Sequence, residues 1–298
     1  LEDVSVSKLI SQVRPDEFYN LAAQSSVGKS FQQPIMTSQI TAEAVTRILE
    51  SIRIWSPETR FYQASSSELF GDGASGQRNE ETPFHPRSPY AISKLYAHWM
   101  VINYREAYGL KSCCGLLFNH ESPLRGEQFV TRKITKGLSM VALGQLDCLS
   151  LGNLDVRRDW GFAGDYVVGM WRMLQQEEPS EFVLATGQAR SLRDFCDAAA
   201  RALDMDLVWE GAGRTSRAVD RRTNKTVIAV DPSLYRPTDL AFMVGDPSKA
   251  RRELDWEASM TFDELVSLMV ASDLSRLRAY PEGRETARYK PAARPATH

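Results

Sequence analysis

A tyrosine and a lysine stand four residues apart in the segment Tyr90-Ala91-Ile92-Ser93-Lys94. On a helix, this spacing places both side chains on one face. A lysine ammonium beside a phenol favours the phenolate and lowers the pKa of the tyrosine, so Tyr90 is a candidate general base near neutral pH. A single pair with this spacing is common by chance and needs support from other residues.

A hydroxyl and a carboxylate, Ser66 and Glu68, follow the predicted strand Arg60–Ala64. Parallel sheets bind their ligands at the carboxyl ends of the strands. Side chains two residues apart on an extended chain point to the same side, so the sequence predicts that Ser66 and Glu68 face one cleft. The alternative is a serine-rich turn with a solvated glutamate.

Strand-like and helix-like segments alternate around these candidate catalytic residues. Strands are predicted at residues 17–21, 60–64 and 112–118, and helices at residues 41–54 and 90–108. This alternation predicts a parallel sheet with helices on its faces, in an α/β fold.

After residue 118 the pattern is less regular. Helices are predicted at residues 130–143 and 165–175, and strands at residues 148–151 and 182–185. Ser191 is a predicted N-cap of a helix that extends to residue 203. The arginine-rich stretch 211–225 predicts an exposed loop, and residues 280–298 predict a disordered tail.

Composition narrows the class of protein. The chain has 298 residues, 43% of them hydrophobic, which is enough for a sizeable core. A net charge of −2 argues against a nucleic-acid binder that relies on bulk charge. No apolar stretch is long enough to span a bilayer, and the first residues do not resemble a signal peptide, so we expect a cytoplasmic enzyme.

The four cysteines show neither CxxC nor Cys/His ligand spacing, so we predict neither a zinc site nor a disulfide framework. Cys113 and Cys114 lie in an apolar run and are predicted to be small buried residues.

Longer motifs surround the candidate catalytic residues. They are RFYQASSSE at residues 60–68, PRSPY at 86–90, FNHESP at 118–123, FVTRKIT at 129–135, RDWG at 158–161 and YRP at 235–237. With the serine, tyrosine and lysine, they resemble the GDP-mannose 4,6-dehydratase family of the extended short-chain dehydrogenase/reductase superfamily. The motifs follow the family's order and cover most of residues 17–270. The resemblance implies a Rossmann-type, doubly wound parallel sheet with a smaller C-terminal α/β substrate domain.

The resemblance also implies a reaction. Members of the family oxidise C4 of GDP-mannose with NADP, eliminate water across C5 and C6, and return the hydride to C6, which gives GDP-4-keto-6-deoxymannose. Tyr90 would remove the O4 proton, Lys94 would hold the nicotinamide ribose, and Ser66 would hydrogen-bond O4. Glu68 would take the C5 proton and then protonate the departing C6 hydroxyl, a role that a plain ketoreductase does not need.

Binding roles follow from the same resemblance. Besides Lys94, it assigns cofactor contacts to Leu21, Ala22, Ala23, Gln24, Ser25, His120 and Arg125. It assigns contacts with GDP-mannose to Asn119, Val130, Lys133, Arg158, Arg236 and Asp239, and it implies no metal. Lysine and arginine suit a diphosphate. By contrast, we predict that Arg132, Arg157 and the arginines of residues 211–225 are solvated surface residues.

The chain departs from the family pattern in several places. Ser66 stands where threonine is usual, Asp239 where glutamate is usual, and Ser26 where histidine is common. No glycine-rich turn lies near the start, and the first predicted strand corresponds to the family's fourth. We expect that truncation has removed roughly 60 residues of the pyrophosphate-binding βαβαβ half, with a natural short variant as the alternative. Such a sheet would expose an unpaired edge.

The resemblance implies two interleaved domains and an oligomer. Residues 1–118 and about 160–205 would belong to the NADP-binding domain, and about 119–159 and 206–279 to the nucleotide-sugar domain. The full-length protein is expected to form a homodimer or homotetramer through the helices at 41–54 and 90–108, with apolar surface from Ile92, Tyr96, Trp99 and Met100. Alternative functions are another nucleotide-sugar dehydratase, a GDP-4-keto-6-deoxyhexose reductase, or a non-catalytic fragment that pairs with a complete relative.

Overall fold

The computed structural model of the chain describes residues 3–72, 76–235 and 240–279. Its α-helices are α1 (Asp3–Val13), α2 (Val27–Gln32), α3 (Pro34–Ser38), α4 (Ala44–Trp55), α5 (Pro89–Tyr108), α6 (Val130–Ala142), α7 (Ala163–Leu174), α8 (Leu192–Arg201), α9 (Ser248–Leu254) and α10 (Phe262–Ala279). Its strands are β1 (Glu17–Asn20), β2 (Arg60–Ala64), β3 (Ser112–Leu117), β4 (Asn119–Glu121), β5 (Leu149–Leu151), β6 (Arg157–Phe162), β7 (Phe182–Leu184), β8 (Ala189–Ser191), β9 (Leu207–Glu210), β10 (Arg217–Asp220), β11 (Lys225–Val230) and β12 (Phe242–Met243).

The first sheet is parallel throughout, with the strand order β1-β2-β3-β7. Its central strands β2 and β3 are almost wholly buried because helices cover both faces. Within the described ranges, β1 pairs on one side only and forms an edge of the sheet. The predicted α/β fold with a parallel sheet is confirmed.

Two hydrophobic cores lie on opposite faces of this sheet. On one face, Ile10 of α1 and Val101 of α5 pack with Cys114. On the other, Met170 of α7 packs in the cluster that contains Cys113. Adjacent residues of a strand point to opposite faces, so these neighbouring cysteines enter different cores. Both thiols are buried, as predicted.

The remaining strands build a second, smaller α/β unit. Strands β5, β11, β10 and β9 form one sheet, and β12, β6 and β4 form another, in which β8 also pairs with β6. Helices α6, α8 and α10 enclose its core through side chains such as Leu138, Phe195 and Met269. Phe195 of α8 packs edge-on against Trp160 and Phe262 in this second core, and the expected division of the chain into domains stays a prediction.

The predicted exposed loop at residues 211–225 is wrong in its middle. Residues Arg217–Asp220 form β10, which pairs with β9 on one side and β11 on the other. Ala218 is buried and Arg217 is exposed, so buried and exposed side chains alternate along this arginine-rich strand. The arginines themselves are exposed, as predicted.

Several short helical elements were not predicted from the sequence. Helix α1 contributes Ile10 to the core, and α2 and α3 connect β1 to a π-helical turn at Gln39–Glu43 that leads into α4. The predicted helix at 41–54 therefore begins within the π-helical turn. The predicted tail at 280–298 lies outside the described residues. No helix in the described ranges is long and apolar enough to cross a membrane.

Candidate active site

The chain leaves strand β2 through a serine that caps a turn. Ser66 has extended backbone angles, and its hydroxyl accepts a hydrogen bond of 3.2 Å from the backbone N–H of Glu68. Residues Ser67–Leu69 then form a 3₁₀ turn. The expectation of an extended chain through Ser66 and Glu68 is wrong, because the serine acts as the cap of this turn. The predicted serine-rich turn is present, but its glutamate is half-buried rather than solvated.

Helix α5 begins so that Tyr90 lies in its first turn. The Ser88 hydroxyl caps the helix by accepting from the Ala91 N–H at 3.1 Å, and Pro89 occupies the first helical position. Tyr90 is only 9% exposed, and its phenol is hydrogen-bonded to the Ser66 hydroxyl. The end of β2 and the start of α5 therefore bring Ser66 and Tyr90 together.

The charges around Tyr90 have opposite effects on its pKa. The pKa of Tyr90 is raised to about 12, mainly by burial, and the nearby Glu68 carboxylate contributes in the same direction. The hydrogen bond from Ser66 and the positive charge of Arg125 lower it. Glu68, Tyr90 and Arg125 are therefore electrostatic neighbours in one site.

Lys94 lies one turn along the same helix, but it does not have the predicted effect on Tyr90. Its ammonium is 3% exposed and donates a hydrogen bond of 2.7 Å to the Ala64 carbonyl oxygen. Burial lowers the pKa of Lys94 to about 8. The expected lowering of the tyrosine pKa by this lysine is wrong for this structure, because desolvation of the phenol dominates.

The segment after β1 lies at the same edge of the sheet. The Asn20 amide donates to the Gln63 side chain at 2.8 Å, and both residues are buried. Immediately afterwards, Leu21 is 56% exposed. The backbone N–H of Gln24 donates to the Thr41 hydroxyl at 3.1 Å, which fixes the turn that carries the predicted cofactor residues 21–25.

His120 and Arg125 follow strand β3 into the second unit. The His120 Nδ1 lies 2.8 Å from the Phe118 carbonyl oxygen, and the ring stacks on Tyr166 with centroids 4.9 Å apart. Burial lowers the pKa of His120. Arg125 lies 3.3 Å from the Glu121 carboxylate.

The predicted substrate residues are distributed along three elements. Asn119 is half-buried in β4, Val130 begins α6, and Lys133 is exposed on the first turn of α6. Arg158 lies in β6 and donates to the Leu240 carbonyl oxygen at 2.6 Å. Arg236 and Asp239 lie outside the described residues.

Two residues of the sequence motifs, Arg132 and Asp159, are buried, and neither was predicted to have a role. Arg132 was predicted to be solvated, but it is 4% exposed and pairs with Asp273 at 2.7 Å, so that prediction is wrong. Arg157 is exposed, as predicted. Asp159 of the RDWG motif is fully buried and accepts hydrogen bonds from the backbone N–H groups of Thr186 and Gly187. The only sequence feature that pointed to Arg132 and Asp159 was their place in the motifs, because their partners are distant in sequence.

Solved structures show that this fold is shared with enzymes that bind nucleotides. The chain superposes on RMD from Pseudomonas aeruginosa, solved with NADPH, with a TM-score of 0.79 and 22% identity over 92% of this chain and 86% of that one. It superposes on DesIV, a dTDP-glucose 4,6-dehydratase from Streptomyces venezuelae, with a TM-score of 0.76 and 19% identity over 93% and 78% of the two chains.

Relatives with similar sequences identify the family, whereas the solved structures show only the fold. A GDP-mannose 4,6-dehydratase of Sinorhizobium fredii is 50% identical over 93% of this chain and 80% of its own length. A GDP-mannose 4,6 dehydratase of Drosophila melanogaster is 48% identical over 93% of this chain and 71% of its own length. The sequence model for GDP-mannose 4,6 dehydratase matches residues 1–269, which include the Ser66, Glu68, Tyr90 and Lys94 site. The chain therefore belongs to the GDP-mannose 4,6-dehydratase family.

Proposed function

We propose that the protein is an NADP-dependent lyase that converts GDP-mannose to GDP-4-keto-6-deoxymannose. The observation that carries this proposal is the grouping of Ser66, Glu68 and Tyr90 in one site at the carboxyl end of β2. A hydroxyl pair can hold and deprotonate a sugar hydroxyl, and an adjacent carboxylate supplies the second acid/base that dehydration needs. Family membership supports the choice of GDP-mannose.

The residues present fit a nicotinamide cofactor at the open ends of β1 and β2. Leu21 and Ala22 are exposed beside the buried Asn20–Gln63 pair, so an apolar, small-residue platform faces the site. Lys94 is the cation buried directly beneath the end of β2, where it can reach ribose hydroxyls. Residues 21–25, Lys94, His120 and Arg125 would hold the cofactor, and bound NADP would supply the hydride acceptor and donor.

Tyr90 and Ser66 would act on the C4 hydroxyl. Their mutual hydrogen bond places two hydroxyl groups where a sugar O4 could be held between them. In the proton transfer, the O4–H bond breaks, and the phenolate oxygen of Tyr90 takes the proton. Arg125 favours this phenolate because its positive charge lowers the pKa of Tyr90.

Glu68 would act on C5 and C6. A ketone at C4 acidifies the C5 proton, which the Glu68 carboxylate takes. The protonated carboxyl then gives that proton to the C6 oxygen as the C6–O bond breaks, so water leaves and the carboxylate is regenerated. A ketoreductase performs neither step, and Glu68 is therefore the residue that favours a dehydratase.

GDP-mannose would bind along β4, α6 and β6. Asn119, Val130, Lys133 and Arg158 lie on these elements, and Arg236 and Asp239 are the further residues proposed from the family motif. Lys133 is exposed on the first turn of α6, so its ammonium is available at this surface. Lysine and arginine at this position suit a diphosphate.

The proposal is tested with the purified protein. Incubation with GDP-mannose and catalytic NADP should give a product lighter by one water in mass spectrometry, with no net gain of NADPH because the hydride returns to the sugar. NADPH that accumulates in step with substrate loss would contradict the proposal. Conversion of a different nucleotide sugar, with GDP-mannose left intact, would instead favour a sibling dehydratase.

A further inference from the structure

Resting on the proposed function, we propose that Asp273 and Arg132 are positioning residues for the active site. Through this buried ion pair, helix α10 fixes the segment at residues 122–129, which carries Arg125. Neither residue would touch substrate or cofactor. Their effect on the reaction would pass through the backbone that carries Arg125.

The ion pair is almost wholly buried. The Nη2 of Arg132 lies 2.7 Å from Oδ1 of Asp273, and the two side chains are 4% and 3% exposed. The second carboxylate oxygen of Asp273 accepts a hydrogen bond of 2.6 Å from the Thr135 hydroxyl. Helices α6 and α10 are thereby fixed against each other by polar groups that have no contact with bulk water.

The other side of the Arg132 guanidinium faces the segment at residues 122–129. Its Nη1 donates to two backbone carbonyl oxygens of that segment, those of Pro123 at 2.7 Å and Arg125 at 2.9 Å. Arg276, one turn beyond Asp273 on α10, donates to the same Pro123 oxygen at 3.0 Å. Both carbonyl oxygens are therefore fixed from α6, and one of them also from α10.

The side chain of Arg125 then extends from this fixed backbone toward the site. Its guanidinium lies 3.7 Å from the centroid of the Phe129 ring, and its Nε lies 3.3 Å from Glu121. Glu121 is held in turn by the Thr131 hydroxyl at 2.7 Å. From this place the positive charge of Arg125 lowers the pKa of Tyr90.

A role in stability alone accounts poorly for these contacts. The desolvation penalty of a buried ion pair offsets most of its attraction, so a pair of apolar side chains could stabilise the helix contact as well. A planar guanidinium, however, presents its donors in a rigid fork that fixes the directions of the carboxylate and the two carbonyl oxygens, whereas the donors of a lysine ammonium rotate about one point and an apolar residue has none. The arrangement therefore specifies where the carbonyl groups of residues 123 and 125 lie.

The primary test is Arg132→Lys in the full-length protein, with Arg105→Lys as the matched control. Arg105 forms a comparably close pair with Glu181, at 2.8 and 2.9 Å, where α5 meets the sheet away from Tyr90. We expect Arg132→Lys to lower kcat/KM by on the order of 100-fold, because a small displacement of a site group has about that cost. The apparent pKa of the base in its pH profile should also rise. The control variant should lower thermal stability without moving that pKa.

A double-mutant cycle separates positioning from general destabilisation. In an Arg125→Ala background, adding Arg132→Lys should produce no further shift of the apparent pKa, since the cation through which Arg132 acts is gone. Equal shifts in both backgrounds would overturn the proposal. Besides burial, which is the main cause, the groups that shift the pKa of Tyr90 are Ser66, Glu68 and Arg125, and the first two remain unchanged throughout the cycle.

Hydrogen exchange supplies a measurement that does not depend on activity. In Arg132→Lys, the backbone N–H groups of Arg125 and Phe129, which donate to Ser122 and Gly126, should lose protection, whereas Arg105→Lys should leave them protected. Unchanged protection in Arg132→Lys would overturn the proposal even if the enzyme acts on another sugar. If that variant does not fold, Thr135→Val removes a single contact with Asp273 and should give a smaller loss of protection in the same segment; no loss would count equally against the proposal.

Discussion

The Lys94 ammonium lies 2.7 Å from the carbonyl oxygen of Ala64, the last residue of β2. This contact joins helix α5 to the strand end that leads to Ser66, so the two halves of the proposed catalytic group are held by a side chain that itself belongs to the proposed group. It also places a cation in a buried environment, where its charge is costly.

The first prediction concerns the cost of that buried charge. The pKa of Lys94 is about 8, below the ordinary 10.5, so the unfolded chain binds more protons between these two pH values. Stability should therefore rise with pH across this window, by on the order of 3 kcal/mol for this group. Urea unfolding at about pH 7.5 and at about pH 11, which lie below and above this window, should show this gain relative to Lys94→Met. If the difference in the free energy of unfolding between wild type and Lys94→Met stays constant with pH, the buried ammonium is contradicted.

The second prediction concerns Glu68. Glu68→Gln retains the size of the side chain but removes the proton acceptor, so dehydration should fall by on the order of 10²- to 10⁴-fold while the oxidation at C4 survives. Reduced cofactor should accumulate on the enzyme with a 4-keto sugar, detected by absorbance and mass spectrometry. Normal turnover of Glu68→Gln would remove this carboxylate from the mechanism.

The third prediction compares two substitutions of Ser66. Ser66→Ala removes the hydrogen bond that lowers the pKa of Tyr90 and the cap of the following turn. The apparent pKa in the kcat/KM profile should rise, and the loss of the cap should destabilise the protein by about 1 kcal/mol. Ser66→Thr retains the hydroxyl and should preserve both properties. If alanine and threonine give the same profile, the hydroxyl has no role.

The fourth prediction concerns acid stability. His98 is buried behind the site, and its Nδ1 lies 3.3 Å from the Ser65 hydroxyl. Burial lowers its pKa to about 4 from 6.5, so the unfolded state takes up the proton first as pH falls. Stability should therefore be lost between pH 6.5 and 4, by on the order of 3 kcal/mol. In His98→Gln, unfolding measured by circular dichroism should lack this part of the acid sensitivity.

The fifth prediction concerns assembly. Ile92, Tyr96 and Trp99 are exposed along α5, and Trp99 is 56% exposed, as the expected helix-pairing surface requires, whereas Met100 is partly covered by the core. We expect at least a dimer, and Trp99→Glu should raise its dissociation constant by roughly 30-fold or more. Trp171→Glu on α7 serves as the control, since that tryptophan is similarly exposed away from α5. Sedimentation that finds wild-type monomers at micromolar concentration would refute the assembly.

Elements governed by local pattern were predictable, and long-range pairings were not. Strand β2 and helix α5 were predicted from the spacing of their own residues, whereas the cap that Ser88 and Pro89 form on α5 was not. Arg132 was misjudged because its partner Asp273 lies on a helix near the other end of the chain, and no local pattern distinguishes such an arginine from a solvated one. The pKa of Tyr90 was misjudged for a related reason, since spacing gives the face of a helix but not how deeply that face is buried.

The separate burial of Cys113 and Cys114 supplies two native chemical probes of the sheet. One thiol faces the helices of the α7 side and its neighbour those of the α1 and α5 side, although a single peptide bond joins them. Alkylation of a buried thiol requires the structure above it to open, so the rate at each cysteine measures the opening of one face. Peptide mapping of the two modified thiols would then show whether the helical layers on the two faces detach together or one before the other.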